Sequence, residues 1–169
     1  MQLIIRVASA LTAATLTVVG TSAPAHASVR PVPKPDPSVS PATNANEYEN
    51  RIVARVNEIR ARRGLPELRV YQTCLDGQAE RWAKHLAESG RLEHRNQQQV
   101  LADCNLHWTG ETLASGARNL SPRGMVRAWM HSPGHRAILM TRRAKLAGVA
   151  IRRNSRGDVF GVVNLGDPT

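Results

Sequence analysis

The stretch Leu146-Ala147-Gly148-Val149-Ala150-Ile151-Arg152-Arg153-Asn154-Ser155-Arg156-Gly157-Asp158-Val159-Phe160-Gly161-Val162-Val163 decides the architecture. It holds two β-rich runs, Leu146–Ile151 and Val159–Val163, around the turn residues Asn154 to Gly157, and so reads as a hairpin. The segments ahead of it read mainly as helices. Ser121-Pro122 is a cap followed by proline at the first helical position, and Met125, Val126 and Trp129 then face inward. The same pair recurs at Ser132-Pro133, so a short helix is expected through Met140. Further back, Cys74 to Ser89 carries a buried stripe of Leu75, Ala79, Trp82, Ala83 and Leu86, and Thr73 to Asp76 has a capping-box pattern. Before it, a helix from Glu47 to Arg63 is predicted, capped by Asn46 with Glu49 at the third position. Ile52, Val56 and Ile59 share one face with Val53 beside them, and Gly64 and Pro66 end the helix. Arg91 to Asp103, with its glutamine triplet at 97–99, reads as loop with at most one short turn, and His107-Trp108 as the start of a strand. Helices packed on a small, mainly antiparallel sheet make this α+β.

The first residues read differently. Arg6 precedes an uncharged apolar stretch from Val7 to Gly20, and Ala25-His26-Ala27 follows the helix breaker Pro24. Residues 1–27 therefore read as a secretory signal peptide cleaved after Ala27, with localisation outside the cell. Residues 28–45 hold Pro31, Pro33, Pro35, Pro37 and Pro41 with almost no large apolar side chain, which predicts an extended linker. Residues 46–169 would be the one folded domain. No apolar run reaches the ~20 residues needed to span a bilayer. Cys74 and Cys104 form an even pair in an oxidising compartment, which predicts a bridge; two buried free thiols are the alternative.

Three segments carry candidate chemistry: Glu93-His94, Gly110-Glu111-Thr112-Leu113-Ala114, and Trp129 to Arg136 with Ser132-Pro133-Gly134-His135 inside it. With Asn57 to Arg60, Gly64-Leu65, Gly90 and Gly148-Val149, they resemble the CAP superfamily, the SCP-like extracellular domains of cysteine-rich secretory, antigen 5 and pathogenesis-related proteins, in its bacterial branch. The resemblance covers about residues 47–165. It implies an α-β-α sandwich. It also implies a cleft in which His94, His135 and Glu111 sit together and the histidines can hold a divalent metal, often zinc. Eukaryotic members carry a second glutamate where this chain has Ser132, and Thr112 replaces the usual asparagine of the glutamate motif.

Neutral imidazoles and a carboxylate are good zinc ligands. The missing second carboxylate removes one candidate base, which weakens a metal-water hydrolase reading. A hydrogen-bonded structural cluster of His94, Glu111 and His135 is the alternative to a metal site. His107 and Ser132 are weaker cleft candidates. Pro133-Gly134 separates His131 from a shared helical face with His135, and His131 is expected to be exposed. Ser132 and Ser115 have no nucleophile elbow around them, so no catalytic residue is assigned. Trp82, Trp108 and Trp129 read as core.

The chain has 169 residues, 41% of them hydrophobic, which is enough for a packed core and excludes wholesale disorder. Its formal net charge is +10, falling to +9 once Arg6 leaves with the signal peptide. Arg118, Arg123, Arg127, Arg142, Arg143, Lys145, Arg152, Arg153 and Arg156 could form a basic face that attracts anionic wall polymers, acidic glycans or anionic head groups. Arginine usage without any partner is the alternative. No nucleic-acid motif is present. The leading expectation is a secreted, monomeric, non-enzymatic module that binds a small apolar, lipid- or sterol-like ligand or an anionic envelope component. A zinc-assisted hydrolase and a basic wall-associated or antimicrobial protein are the other two readings.

Overall fold

The computed structural model describes residues 41–70 and 73–169, without the side chains of 41–44. The predicted signal peptide and most of the linker lie outside these residues. In chain order the elements are α1 (Pro41–Ala61), β1 (Arg69–Val70), α2 (Thr73–Ser89), α3 (Gln97–Cys104), β2 (Leu106–Gly116), α4 (Pro122–His131), α5 (Pro133–Leu139), β3 (Leu146–Arg153) and β4 (Val159–Pro168). Among the described residues the strands form one sheet in the order β1-β3-β4-β2. All pairs are antiparallel except the two-residue β1–β3 pair.

Alternation along the strands makes the sheet a middle layer. Ala147, Val149, Ile151, Val163 and Leu165 pack with Ile52, Val53 and Val56 of α1, with Met125, Val126 and Trp129 of α4, and with Leu139 of α5. The opposite face presents Ala150, Phe160, Val162 and Leu113 to Ala79, Ala83 and Leu86 of α2. The architecture is α+β, an α-β-α sandwich. The core helices and the hairpin stand where their apolar periodicity put them. Trp129 is buried, whereas Trp82 and Trp108 are only half-buried.

Several local signals are used for other purposes. α1 starts at Pro41, so Asn46 is not its cap. Glu49 is instead a buried mid-helix carboxylate that accepts the Ile151 N–H at 2.9 Å. Asp76 accepts the Val149 N–H at 3.3 Å rather than closing a capping box. Because β1 pairs with only Leu146 and Ala147, these two carboxylates satisfy the outward amides of β3 beyond it. Ser121 caps α4 through its side chain, whereas Ser132 makes no side-chain cap bond to α5. The Arg91–Asp103 segment contains α3, capped by Asn96.

Two motif residues turn out to be scaffolding. Asn57 bonds both the O (3.1 Å) and the N–H (3.0 Å) of Leu68. The fully buried Arg60 donates to the carbonyl oxygens of Pro66 (2.8 Å), Leu139 (2.7 Å), Thr141 (3.0 Å) and Ala144 (3.0 Å). Gly148 is where β3 lies against the start of α2: a Cβ there would sit 2.2 Å from the Leu75 carbonyl carbon, so no larger residue fits. Cys74 and Cys104 are bridged, tying α2 to the end of α3.

Candidate functional site: the β2 edge and the α1–α4 groove

Glu111 lies on β2, opposite Asn164 of β4. Among the described residues β2 pairs with β4 alone and ends the sheet. His94 reaches Glu111 from the loop after α2, its Nδ1 2.7 Å from Glu111 Oε1. The carboxylate is buried and the imidazole exposed. The second carboxylate oxygen faces Arg95 Nε at 3.4 Å. Arg95 also donates to Gln78 O (3.1 Å) and Gln78 Oε1 (2.6 Å). Asn164, with its amide oriented to satisfy its neighbours, accepts from Arg95 Nη2 at 2.8 Å and from the Ala79 N–H at 3.2 Å. Both oxygens of Glu111 are thus committed to cations or donors from the chain itself. Sequence reasoning missed Arg95, because an arginine beside the histidine in a polar loop gives no sign of pointing inward.

His135 lies on α5, on the other side of β2, half-buried. Burial holds its imidazole below the usual histidine range, and the nearby His94 adds to this. The remaining candidates stand apart from this pair. His107 Nδ1 faces Pro168 O (3.1 Å) at the far end of β2. Ser132 donates its N–H to Ala128 and Trp129 at the α4–α5 junction. Among the described residues no hydrogen bond joins Ser132 or Ser115 to an imidazole, and no group of three or more His, Cys, Asp or Glu side chains is placed to hold a metal ion. Of the expected ligands, His94 and His135 would be the residues left to hold a metal. Glu111 on His94 Nδ1 would fix the ring with Nε2 toward the metal, in the manner of a carboxylate behind a ligating histidine.

A second feature lies on the opposite layer. α1 and α4 border a groove of about 460 Å³. Ile59, Val126 and Met130 supply its apolar floor, and Arg55, Arg123 and Arg127 its rim. Arg55 is bound to Glu58 Oε2 at 2.5 Å. Among the described residues no ion pair takes up Arg123 or Arg127. The exposed His131 also lines the groove, its Nδ1 2.8 Å from Arg127 O. The pattern was present in the sequence of α4, where Arg123, Arg127 and Met130 share one flank beside the inward face of Met125, Val126 and Trp129.

The nine basic residues expected to form one face do not do so. Arg118, Arg153 and Arg156 cluster at the β3–β4 turn. Arg143 and Lys145 sit at the other end of these strands, within 3.8 and 3.0 Å of Asp167.

With this geometry in place, the chain can be compared with known proteins. The model of the cysteine-rich secretory protein family, CAP, matches residues 53–165. The chain belongs to the CAP family. This CAP domain is similar in fold to an outer surface protein from Borrelia burgdorferi, with a TM-score of 0.66 and 23% identity over 73% of this chain and 94% of that one. An extracellular SCP-domain protein from Bacillus anthracis matches at a TM-score of 0.65 and 19% identity, covering 78% of this chain and 45% of that one. A cysteine-rich secretory protein from Staphylococcus aureus matches at 0.59 and 16%, covering 75% and 41%. The chain thus spans less than half the length of the last two proteins. No curated protein sequence matches it.

Proposed function

We propose that this CAP domain is an extracellular, non-catalytic binding module for an anionic amphiphile, and that the groove between α1 and α4 is its site. The observation that carries this reading is the pairing of an apolar floor, Ile59 and Met130, with two guanidiniums, Arg123 and Arg127, that no ion pair takes up among the described residues. A hydrocarbon chain gains by leaving water on the floor, and an oxyanion gains a charge-assisted hydrogen bond at the rim. The groove volume is in the range of small-molecule sites. An extracellular setting is supported by the Cys74–Cys104 bridge, since such bonds persist in oxidising compartments. The names of the bacterial relatives point the same way.

Calorimetric titration with dodecyl phosphate tests the reading. Saturable binding below the micellar concentration is expected, weakened at least about tenfold in R123A/R127A through loss of charge-assisted bonds. Equal affinity for dodecanol, or no binding by folded protein, would overturn it.

One observation favours a second reading, a metal-assisted hydrolase. His94 is held by Glu111 at Nδ1, and burial keeps the neighbouring His135 toward its neutral, metal-ready form. Zinc would supply a polarised water at this pair. The chain itself would supply His94 and His135 as ligands, while Arg95 keeps Glu111 engaged as a positioning group rather than a base. This reading expects zinc binding at neutral pH that is lost in H94A and in H135A, together with zinc-dependent ester turnover. Folded protein that takes up no zinc removes it.

A further inference from the structure

We propose that Arg118, in the loop between β2 and α4, and Arg153, at the end of β3, meet at the tip of the β3–β4 hairpin and clamp the phosphodiester groups of an anionic polymer. Both guanidiniums are held by main-chain oxygens rather than by carboxylates. Arg153 Nη1 donates to Arg118 O and to Gly157 O, each at 3.0 Å. Arg118 Nη2 donates to Arg156 O at 3.3 Å. The Arg118 side chain also lies across the turn at Gly157, whose φ of +84° suits glycine: a Cβ there would meet Arg118 Nε at 3.4 Å.

The acid of this turn hydrogen-bonds elsewhere, although the charge of Arg118 also helps to hold it ionised. Asp158 accepts from Arg156 Nε at 3.1 Å and from Asn154 Nδ2 at 3.0 Å. Among the described residues no carboxylate forms an ion pair with Arg118 or Arg153. Each keeps N–H donors without a partner among the described residues, on a fork tethered by main-chain bonds, two for Arg153 and one for Arg118. The entropy of ordering two long side chains is therefore lost in folding rather than in binding. A planar fork with free parallel donors matches the oxygens of a phosphate better than an ammonium would.

The surroundings favour a polymer over a membrane. A hollow of about 330 Å³ beside Arg153 is lined by Lys84, Glu88, Arg152 and Ser155 among others, with Lys84 paired to Glu88 at 3.8 Å and Arg152 paired to Glu80. The hollow is therefore charge-balanced, and among the described residues Arg118 and Arg153 carry the tip's unpaired positive charge. Among the described residues the exposed large apolar side chain is Leu92, in the loop after α2 and not at this tip. The tip thus presents charge without the apolar wedge that inserts into a bilayer. The proposal is independent of the α1–α4 groove.

Titration of the whole domain with poly(glycerol phosphate) at about 0.15 M salt tests it, with melting temperature read in parallel. R118A/R153A should bind at least about tenfold more weakly, with a shallower salt dependence, because two fewer charges displace counterions. R118K/R153K keeps the charge without the fork and should fall between the two. R142A/R143A removes as much charge at the opposite end of the sheet and should stay within about twofold of wild type. If R118A/R153A fails to fold, R118K/R153K against R142A/R143A decides. Equal losses in the two alanine pairs would overturn the clamp in favour of diffuse net charge. Preferential binding to phosphatidylglycerol vesicles would overturn it in favour of a membrane surface.

Discussion

His94 Nδ1 lies 2.7 Å from Glu111 Oε1, and the two residues differ sharply in environment: the side chain of the histidine is 56% exposed, that of the glutamate 1%. Their substitutions should differ accordingly. Glu111→Ala leaves the guanidinium of Arg95 without its carboxylate in a buried site, which costs about 3–5 kcal/mol. His94→Ala removes an exposed partner and should cost under about 1 kcal/mol. Urea denaturation of the two variants reads this directly. Equal costs would mean that the histidine, not the arginine, is what holds the carboxylate.

Arg60 predicts a large effect far from any ligand. Its guanidinium is fully buried and donates to four carbonyls that join the end of α1 to the segment following α5. Arg60→Met strands those oxygens and should cost at least about 3 kcal/mol. Arg60→Lys should recover little, because one ammonium cannot span the same oxygens. Thermal unfolding of both variants checks this, while binding at the α1–α4 groove should persist in whatever fraction remains folded.

Glu49 predicts a pH dependence. Burial, helped by Glu80 and Asp76, pushes its carboxyl up to about 7 from 4.5, against the Ile151 N–H and Arg152. A raised carboxyl binds its proton more tightly in the folded than in the unfolded chain. Its contribution is therefore present at low pH and is lost as pH climbs from 4.5 through 7. Relative to Glu49→Gln, the wild-type melting temperature should fall by roughly 5 °C or more between mildly acidic and mildly alkaline solution. Identical pH profiles would show that the carboxyl is not perturbed.

These three residues also mark how far the sequence could be read. The buried faces of α2 and α4 and the β3–β4 hairpin were legible, because an apolar face at a fixed period has one place to go. α3 was not. Its Gln97-Gln98-Gln99 start has no apolar stripe, and only Val100 and Cys104 among its residues are buried. Nor was the short β1, which is set by the backbone of β3 rather than by its own two side chains. Glu49 looked like a first-turn helix acid but lies mid-helix, whereas Asp76 does stand in the first turn of α2 yet bonds a strand amide. They are edge-strand acceptors because a gap left by β1 outweighs a local cap. At the site, the His94–Glu111 pairing followed from the family resemblance. The Arg95 beneath it and the α1–α4 groove did not, since both depend on which helices become neighbours.

Loss of the Cys74–Cys104 bridge, which closes a separation of 30 residues, should cost about 3–4 kcal/mol in the chain-entropy account. Chemical denaturation of C74A/C104A against wild type measures it. A cost near zero would mean that the unfolded chain is already restrained between α2 and α3.

Native mass spectrometry of the intact protein tests the binding-module account most directly. The account predicts a population carrying an anionic amphiphile that survives gentle desalting, disappears in R123A/R127A and persists in H94A. Protein that flies without an adduct and also fails to take up added dodecyl phosphate would contradict it, as would an adduct retained by R123A/R127A.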